Sequence, residues 1–449
     1  MPDRAPGKTW AALAGLAIVA VATRAWFLAG PQIDYDEGVY WQSLRALSEG
    51  HALFSSVYSS QPPGFLLLLS PFYDILGHSL AGARAGVAVL SLLGIAAAYV
   101  VMSQIAGRTA GLAAAAILVA DPLYLRQSVT LQADGPALAL ALCAIAAATL
   151  GRRAPSGGRR LPAAVAAGAL LGIACMVKLL ALPALLPLGL LLLPSRARLL
   201  AATAGGLVAV AALLAPFAGE LGLVARQSIG LHVAASAGPL TSVDALWSLA
   251  RWEIPLLVVA TLSVAFHRPL SELLIAGGWL ALTVFAMAFI HPLWPHHLVA
   301  ASVPLTLLAA PLASSMAAQR VVAAWAVGAA AAGLGVAIVL SQQSPTPAST
   351  VARLAQLTRP GEKVISDDQF GTALAGRDTP PELVDTSLVR VRSGDLSLST
   401  VEGLARRDGV RVLVLATGRL VLLPGLVDWA STAYPRQETV GGERFLETP

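Results

Sequence analysis

Read for its pattern of apolar and polar positions, the chain is a succession of long apolar runs separated by short charged breaks. It lacks the alternating segments of roughly ten residues that a membrane β-barrel shows. The runs predict eleven membrane-spanning helices, at about 10–29, 82–105, 109–123, 135–151, 161–177, 179–193, 199–218, 247–266, 272–290, 297–317 and 320–341. The first run is long enough to cross a bilayer, and no small-residue cleavage site follows it. It is read as an uncleaved first helix whose N-terminus lies in the cytoplasm. The breaks that then fall inside hold eleven Lys/Arg and only Asp3 and Glu272 as acids, the asymmetry that the positive-inside rule requires.

Two stretches depart from the pattern. Between Pro31 and Ala81 the apolar piece Gly64–Phe72 is too short to span, and counting it as a span would turn every later basic loop outward. Glu37–Ser48 and Pro63–Ile75 are therefore predicted as helices lying at the outer interface. At the other end, Ser344-Pro-Thr-Pro reads as a linker. After it, helix-like Val351–Arg359 and Thr400–Asp408 alternate with strand-like Lys363–Ser366 and Val410–Ala416. The expected architecture is an all-α polytopic membrane domain over 1–341, with 31–81 as its first outer loop. A linker over 342–350 leads to a small soluble α/β domain over 351–449, which an odd number of spans places outside the cell.

Composition supports the membrane reading. Of 449 residues, 56% are hydrophobic and only 12% charged, against about 25% charged in soluble domains; mean hydropathy is +0.72. Disorder, collagen, coiled coil and a disulfide scaffold are excluded. Cys143 and Cys175 both sit in apolar runs and read as small core residues. The net charge of +5 is carried outside the C-terminal part, which from Gln343 onward holds 12 Lys/Arg against 13 Asp/Glu. That excess fits membrane loops rather than a nucleic-acid surface. Only Lys8, Lys178 and Lys363 of the thirty basic residues are lysines. With the abundance of Ala, Gly and Leu, this suggests a GC-rich bacterial source and the plasma membrane.

Candidate chemistry gathers in the outer loops. Asp34, Asp36 and Glu37 place three carboxylates within four residues at the membrane surface, a cluster suited to a general base or a cation. Asp36 is also expected to cap a helix beginning at Glu37. Asp134, with Arg126, Gln127 and Gln132 close by, occupies the next outer loop and precedes Gly-Pro at a helix start. Arg84 opens the second helix from outside, as an interface snorkeler or an anion contact. Lys178 interrupts an otherwise apolar run at an outer helix–helix turn, near the surface, where it either reaches the interface or meets a phosphate. His291, His296 and His297 flank Trp294 in the last outer loop. They read as headgroup-level residues, with a metal site as the rival reading.

The order of these motifs carries a resemblance. Asp36-Glu37-Gly38-Val39-Tyr40 follows the first helix. Gln61-Pro62-Pro63-Gly64 comes next, then Arg84 at a helix start, then Asp134 in the second outer loop. The arrangement resembles the GT-C membrane glycosyltransferases, specifically the glycosyltransferase 39, protein O-mannosyltransferase and aminoarabinose-transferase-like group, over about residues 10–320. The resemblance implies a polyprenyl phosphate-linked sugar donor, with its lipid in the bilayer and its sugar facing outward. It implies Asp36 as general base, and Glu37 and Asp134 as catalytic residues that support it or orient substrate. Arg126, Arg84 and Lys178 are implied as phosphate contacts, with Tyr40 and Gln61 as further substrate contacts. An inverting single displacement needs no ATP and no covalent intermediate. A divalent metal is left open, none being required. The acceptor is a protein, lipid or glycan. The alternative is a polytopic lipid or sugar transporter or flippase, which predicts charges strung along a path through several helices and an internal repeat. A receptor built on the C-terminal domain is a third class, and it would place the chemistry in that domain.

Overall fold

The computed structural model describes residues 6–154, 157–235, 242–267, 273–290, 292–314 and 346–449. The chain forms two compact units. One takes residues 1–29, 84–216 and 239–338, and the other takes 30–83, 217–238 and 339–449.

The first unit is helical. Among the described residues of the whole chain, six helices are long and apolar enough to cross a membrane, or seven if one bent pair counts as a span. The expected spans near 179–193 and 272–290 appear as shorter apolar helices, and the expected span near 247–266 falls within the helix Ser242–His267. Pro183 lies in a 3₁₀ turn that opens the first of the shorter helices, a π turn over Leu273–Gly277 opens the second, and Pro255 lies within Ser242–His267 without breaking it. The expected span at 320–341 lies outside the described residues, as do His291 and the Ser344-Pro345 part of the linker.

Helix α1 (Pro6–Phe27) packs near the bent pair α5 (Arg108–Ala120) and α6 (Pro122–Val129), which meet at 63°. Pro122, at the first position of α6, has no N–H to continue the ladder. A break at membrane depth frees backbone groups that must be satisfied within protein. Arg24 of α1 does this: Nη1 donates to Val119 O at 3.2 Å and Nη2 to Leu118 O at 3.4 Å. Helix α4 (Leu80–Ile105) lies against α6, where Tyr124 Oη donates to Ser91 O at 2.9 Å.

Helix α7 (Asp134–Arg153) is followed by α8 (Gly157–Val177), a 3₁₀ turn Leu179–Ala184, α9 (Leu185–Leu192) and α10 (Arg196–Leu214). Helices α8 and α10 touch along glycines. A Cβ at Gly168 would fall 1.8 Å from Ala202 O, and one at Gly205 would fall 2.2 Å from Val165 O. Small residues let the two backbones meet, the usual means of association where apolar burial gives no net drive.

In the second unit, α2 (Asp36–Ser48) and α3 (Gly64–Ile75) form where the sequence predicted helices. Short helices α11 (Leu221–Ala225) and α12 (Leu231–Ala235) flank a π turn. The later part of the unit carries a four-stranded sheet of order β1-β2-β4-β3. Here β1 (Ile365–Ser366) runs parallel to β2 (Val412–Leu415), and β4 (Glu443–Glu447) pairs antiparallel with both β2 and β3 (Arg436–Val440). Side chains alternate across β2: Leu413 and Leu415 enter one apolar cluster, Val412 and Val414 the other. The β3–β4 hairpin was not expected from the sequence. Its turn is Gly441-Gly442, both at positive φ, as a tight hairpin requires.

Candidate active site

In the second unit the acidic loop runs straight into α2. Helix α2 begins at Asp36 with Tyr35 as its N-cap, and Tyr35 makes no side-chain cap bond. The expectation that Asp36 caps a helix from Glu37 is corrected: Asp36 is the first helical residue. The neighbouring acids serve the backbone. Glu37, fully buried, accepts from Ile33 N at 2.7 Å through Oε2, and Asp34 Oδ1 accepts from Asp36 N at 3.3 Å. Negative charge in a first turn is favoured by the helix dipole. Asp36 itself is half-buried.

Tyr35 is held from further along the chain. Its hydroxyl lies 3.0 Å from Thr386 Oγ1, and the Arg419 guanidinium sits 3.6 Å over its ring centroid. Burial, and then the nearby Asp385 carboxylate, push the Tyr35 phenol well above its ordinary range, so it stays neutral. Tyr40, buried, meets the Phe65 ring edge-on at 4.6 Å. Gln61 Nε2 lies 3.5 Å from His232 Nε2. In this unit Tyr40 packs α2 against α3, and Gln61 belongs to a polar patch with Ser59, Ser60 and His232.

In the first unit Asp134 is the first residue of α7, with Ala133 at the N-cap and no side-chain cap bond. Asp134 is therefore in the first turn rather than at the cap. Its Oδ2 accepts from Lys178 Nζ at 2.7 Å, while Oδ1 has no hydrogen-bond partner among the described residues. Lys178 sits at the extended junction between α8 and the 3₁₀ turn, 8% exposed. Its expected place near the surface is corrected: the ammonium is buried because a buried carboxylate 44 residues earlier holds it. Arg84 is also fully buried rather than snorkelling, and its Nη1 donates to Phe27 O at 3.2 Å and Leu28 O at 3.4 Å, at the end of α1. Arg126 is half-buried in the last turn of α6.

Asp134, His296 and His297 also offer ligand atoms within 4.8 Å of one another. The chemistry of these groups fits a metal poorly. Lys178 already occupies one Asp134 oxygen. His297 Nδ1 accepts from Trp294 N at 3.2 Å, so the neutral ring carries its proton on Nε2 and presents a donor there. Gln132 Nε2 lies 3.4 Å from His296 Nδ1. The cluster reads as cationic and donor groups around one carboxylate.

Sequence reasoning missed three buried ionisable residues described in this unit: Arg24, Asp121 at the α5–α6 break, and Glu253 of α13 (Ser242–His267), which interacts with Asp121; Ser302 Oγ donates to Glu253 Oε1 at 2.7 Å. The available signal was a charge inside an apolar run.

A profile of the dolichyl-phosphate-mannose-protein mannosyltransferase family matches residues 60–221, roughly a third of the chain. No curated protein sequence matches. Two crystal structures of ArnT from Cupriavidus metallidurans are similar to the chain over its length. The apo state has 16% identity, TM-score 0.65 and 98% of each chain covered. The form bound to undecaprenyl phosphate has 17% identity and TM-score 0.69, covering 99% of this chain and 98% of that one. The archaeal oligosaccharyltransferase AglB from Archaeoglobus fulgidus, in complex with an inhibitory peptide and a dolichol-phosphate, is similar at 13% identity and TM-score 0.55. It covers 95% of this chain and 72% of that one. The chain therefore has the fold of the GT-C membrane glycosyltransferases, and it is a multi-pass membrane protein.

Proposed function

We propose that the chain transfers a sugar, mannose or one similar to it, from a polyprenyl phosphate-linked donor to an acceptor hydroxyl on the outer face of the membrane. The observation that carries this reading is the acidic loop itself: Asp34, Asp36 and Glu37 stand together at the start of α2, with Asp36 half-buried in its first turn. The family match over 60–221 and the likeness to a protein that binds undecaprenyl phosphate supply the substrate class.

In this reading Asp36 takes the proton of the acceptor hydroxyl. The acceptor oxygen bonds the anomeric carbon as the bond from that carbon to the phosphate oxygen breaks. Polyprenyl phosphate leaves with the electron pair, and the configuration inverts. The donor is already activated, so the protein supplies a base and positive charge for the phosphate. Lys178 and Arg126 are assigned to that charge, with Asp134 orienting Lys178. Arg84 is assigned to the end of α1, where its donors meet carbonyls. The lipid tail binds each further buried CH₂ with about 0.8 kcal/mol, which keeps the donor in the bilayer.

The test is label transfer from polyprenyl phosphate-linked mannose, glucose and arabinose by membranes carrying wild type or Asp36→Asn. Transfer by wild type alone is expected, from one donor. Equal transfer by Asp36→Asn would remove the base assignment. Binding of donor with no transfer from any of the three would favour a transporter.

A further inference from the structure

We propose that Tyr35 and Arg419 are positioning residues for Asp36, and that the C-terminal part of the chain acts on the reaction by holding the loop in which the base sits. The proposal rests on the assignment of Asp36 above.

The argument starts at Asp367, fully buried just after β1. Its two oxygens accept four backbone amides of the 416–420 loop. Ala416 N and Thr417 N donate to Oδ1 at 2.7 and 2.9 Å, and Arg419 N and Leu420 N donate to Oδ2 at 2.8 and 3.2 Å. The loop is thus set by its backbone, and the Arg419 side chain is left to reach outward. It lies over the Tyr35 ring, whose hydroxyl meets Thr386. A guanidinium over a ring face is attractive and directional. Tyr35 is the residue before Asp36, and its carbonyl accepts from Gly38 N at 3.1 Å in the first turn of α2.

The same stretch grips α2 further along. A Cβ on Gly38 would fall 2.4 Å from Phe370 N, so only glycine permits this approach. Trp41 meets the Phe370 ring at 5.5 Å, Gln42 Nε2 donates to Arg377 O at 3.0 Å, and Arg45 pairs with Asp378 at 2.6 Å. These contacts fix the helix. The Tyr35 stack holds the residue just before the base.

The experiment compares Arg419→Gln, Tyr35→Ala, Tyr35→Phe and the double variant Arg419→Gln/Tyr35→Ala in the full-length protein in nanodiscs. Arg419→Gln keeps the loop, because the backbone bonds to Asp367 remain, so the unfolding temperature is expected to stay at the wild-type value. Its kcat is expected to fall about tenfold or more with donor KM unchanged, as for a misplaced reacting group. Tyr35→Phe keeps the ring under the guanidinium and stays near wild type. The double variant is no worse than either single one, because both remove the same contact. Amide hydrogen exchange of residues 33–38, read without turnover, speeds up in Arg419→Gln and Tyr35→Ala. Unchanged exchange there, or a fall in kcat that adds in the double variant, would overturn the proposal. If Asp36→Asn is inactive while Arg419→Gln is fully active, positioning fails and the base assignment stands. If Asp36→Asn is active, the base assignment fails, and hydrogen exchange alone decides whether Arg419 holds the loop.

Discussion

At the scale of the residue, the same side chain means different things at different depths. Lys178 was legible as an oddity, one charge in a long apolar run, but its partner was not, because Asp134 lies in another loop of the sequence. Together they form a buried ion pair, with one carboxylate oxygen unmatched among the described residues. Removing one member of such a pair leaves an uncompensated charge and costs about 3–5 kcal/mol, whereas apolar replacement of both is close to neutral. Lys178→Ala is therefore expected to lower the unfolding temperature sharply. Lys178→Met combined with Asp134→Leu should recover stability without recovering activity. Thermal unfolding in detergent, read beside sugar transfer, checks both halves; a Lys178→Ala protein as stable as wild type would show that the pair carries no such burden. The acidic loop was readable in the same partial way. Composition exposed the cluster, yet the bond from the Ile33 amide to Glu37 and the place of Asp36 in the first turn of α2 could not be read from it.

At the scale of the element, hydrophobic runs locate helices well and their interruptions less well. Helices α2 and α3 appear at the expected residues because polar and proline boundaries bracket them. The expected spans near 179–193 and 272–290 begin in a 3₁₀ turn and a π turn, features that a hydropathy pattern averages away. The bend after α5 is tolerated through Arg24, a partner some ninety residues distant that no local pattern announces. Glycines offer a sharper test. Gly168 lies at the α8–α10 contact, where a Cβ would meet the Ala202 carbonyl, and Gly189 in α9 has open space around it. Gly168→Ala is expected to destabilise by about 1–3 kcal/mol through overpacking. Gly189→Ala should be neutral or stabilising by up to about 1 kcal/mol, through helix propensity. Unfolding midpoints of the two variants decide this, and equal midpoints would argue against close α8–α10 packing.

At the scale of the whole molecule, we propose from the charge asymmetry of the sequence that the N-terminus lies in the cytoplasm and the sheet-bearing region outside. A reporter fused after Pro449 is expected to be active only beyond the membrane, and activity confined to the cytoplasm would overturn the helix count. The sequence divides most naturally near the linker, at a change in composition. The compact units divide it differently, grouping 30–83 with 339–449. Composition reports which solvent a segment prefers, whereas compactness reports which segments touch, and long-range contacts such as Arg419 with Tyr35 leave no local trace.

The contact between Gly38 and Phe370 also sets a schedule for synthesis. The partner of α2 is encoded 332 residues later. At about 5–20 residues per second, α2 waits roughly 15–70 s after leaving the ribosome before its partner exists. During that interval Gly38 and Trp41, which meet Phe370 in the finished protein, have no neighbour from that stretch. A ribosome stalled late in the message would leave a nascent chain with most of its spans made and this apolar face uncovered, a form that chaperones and proteases can recognise.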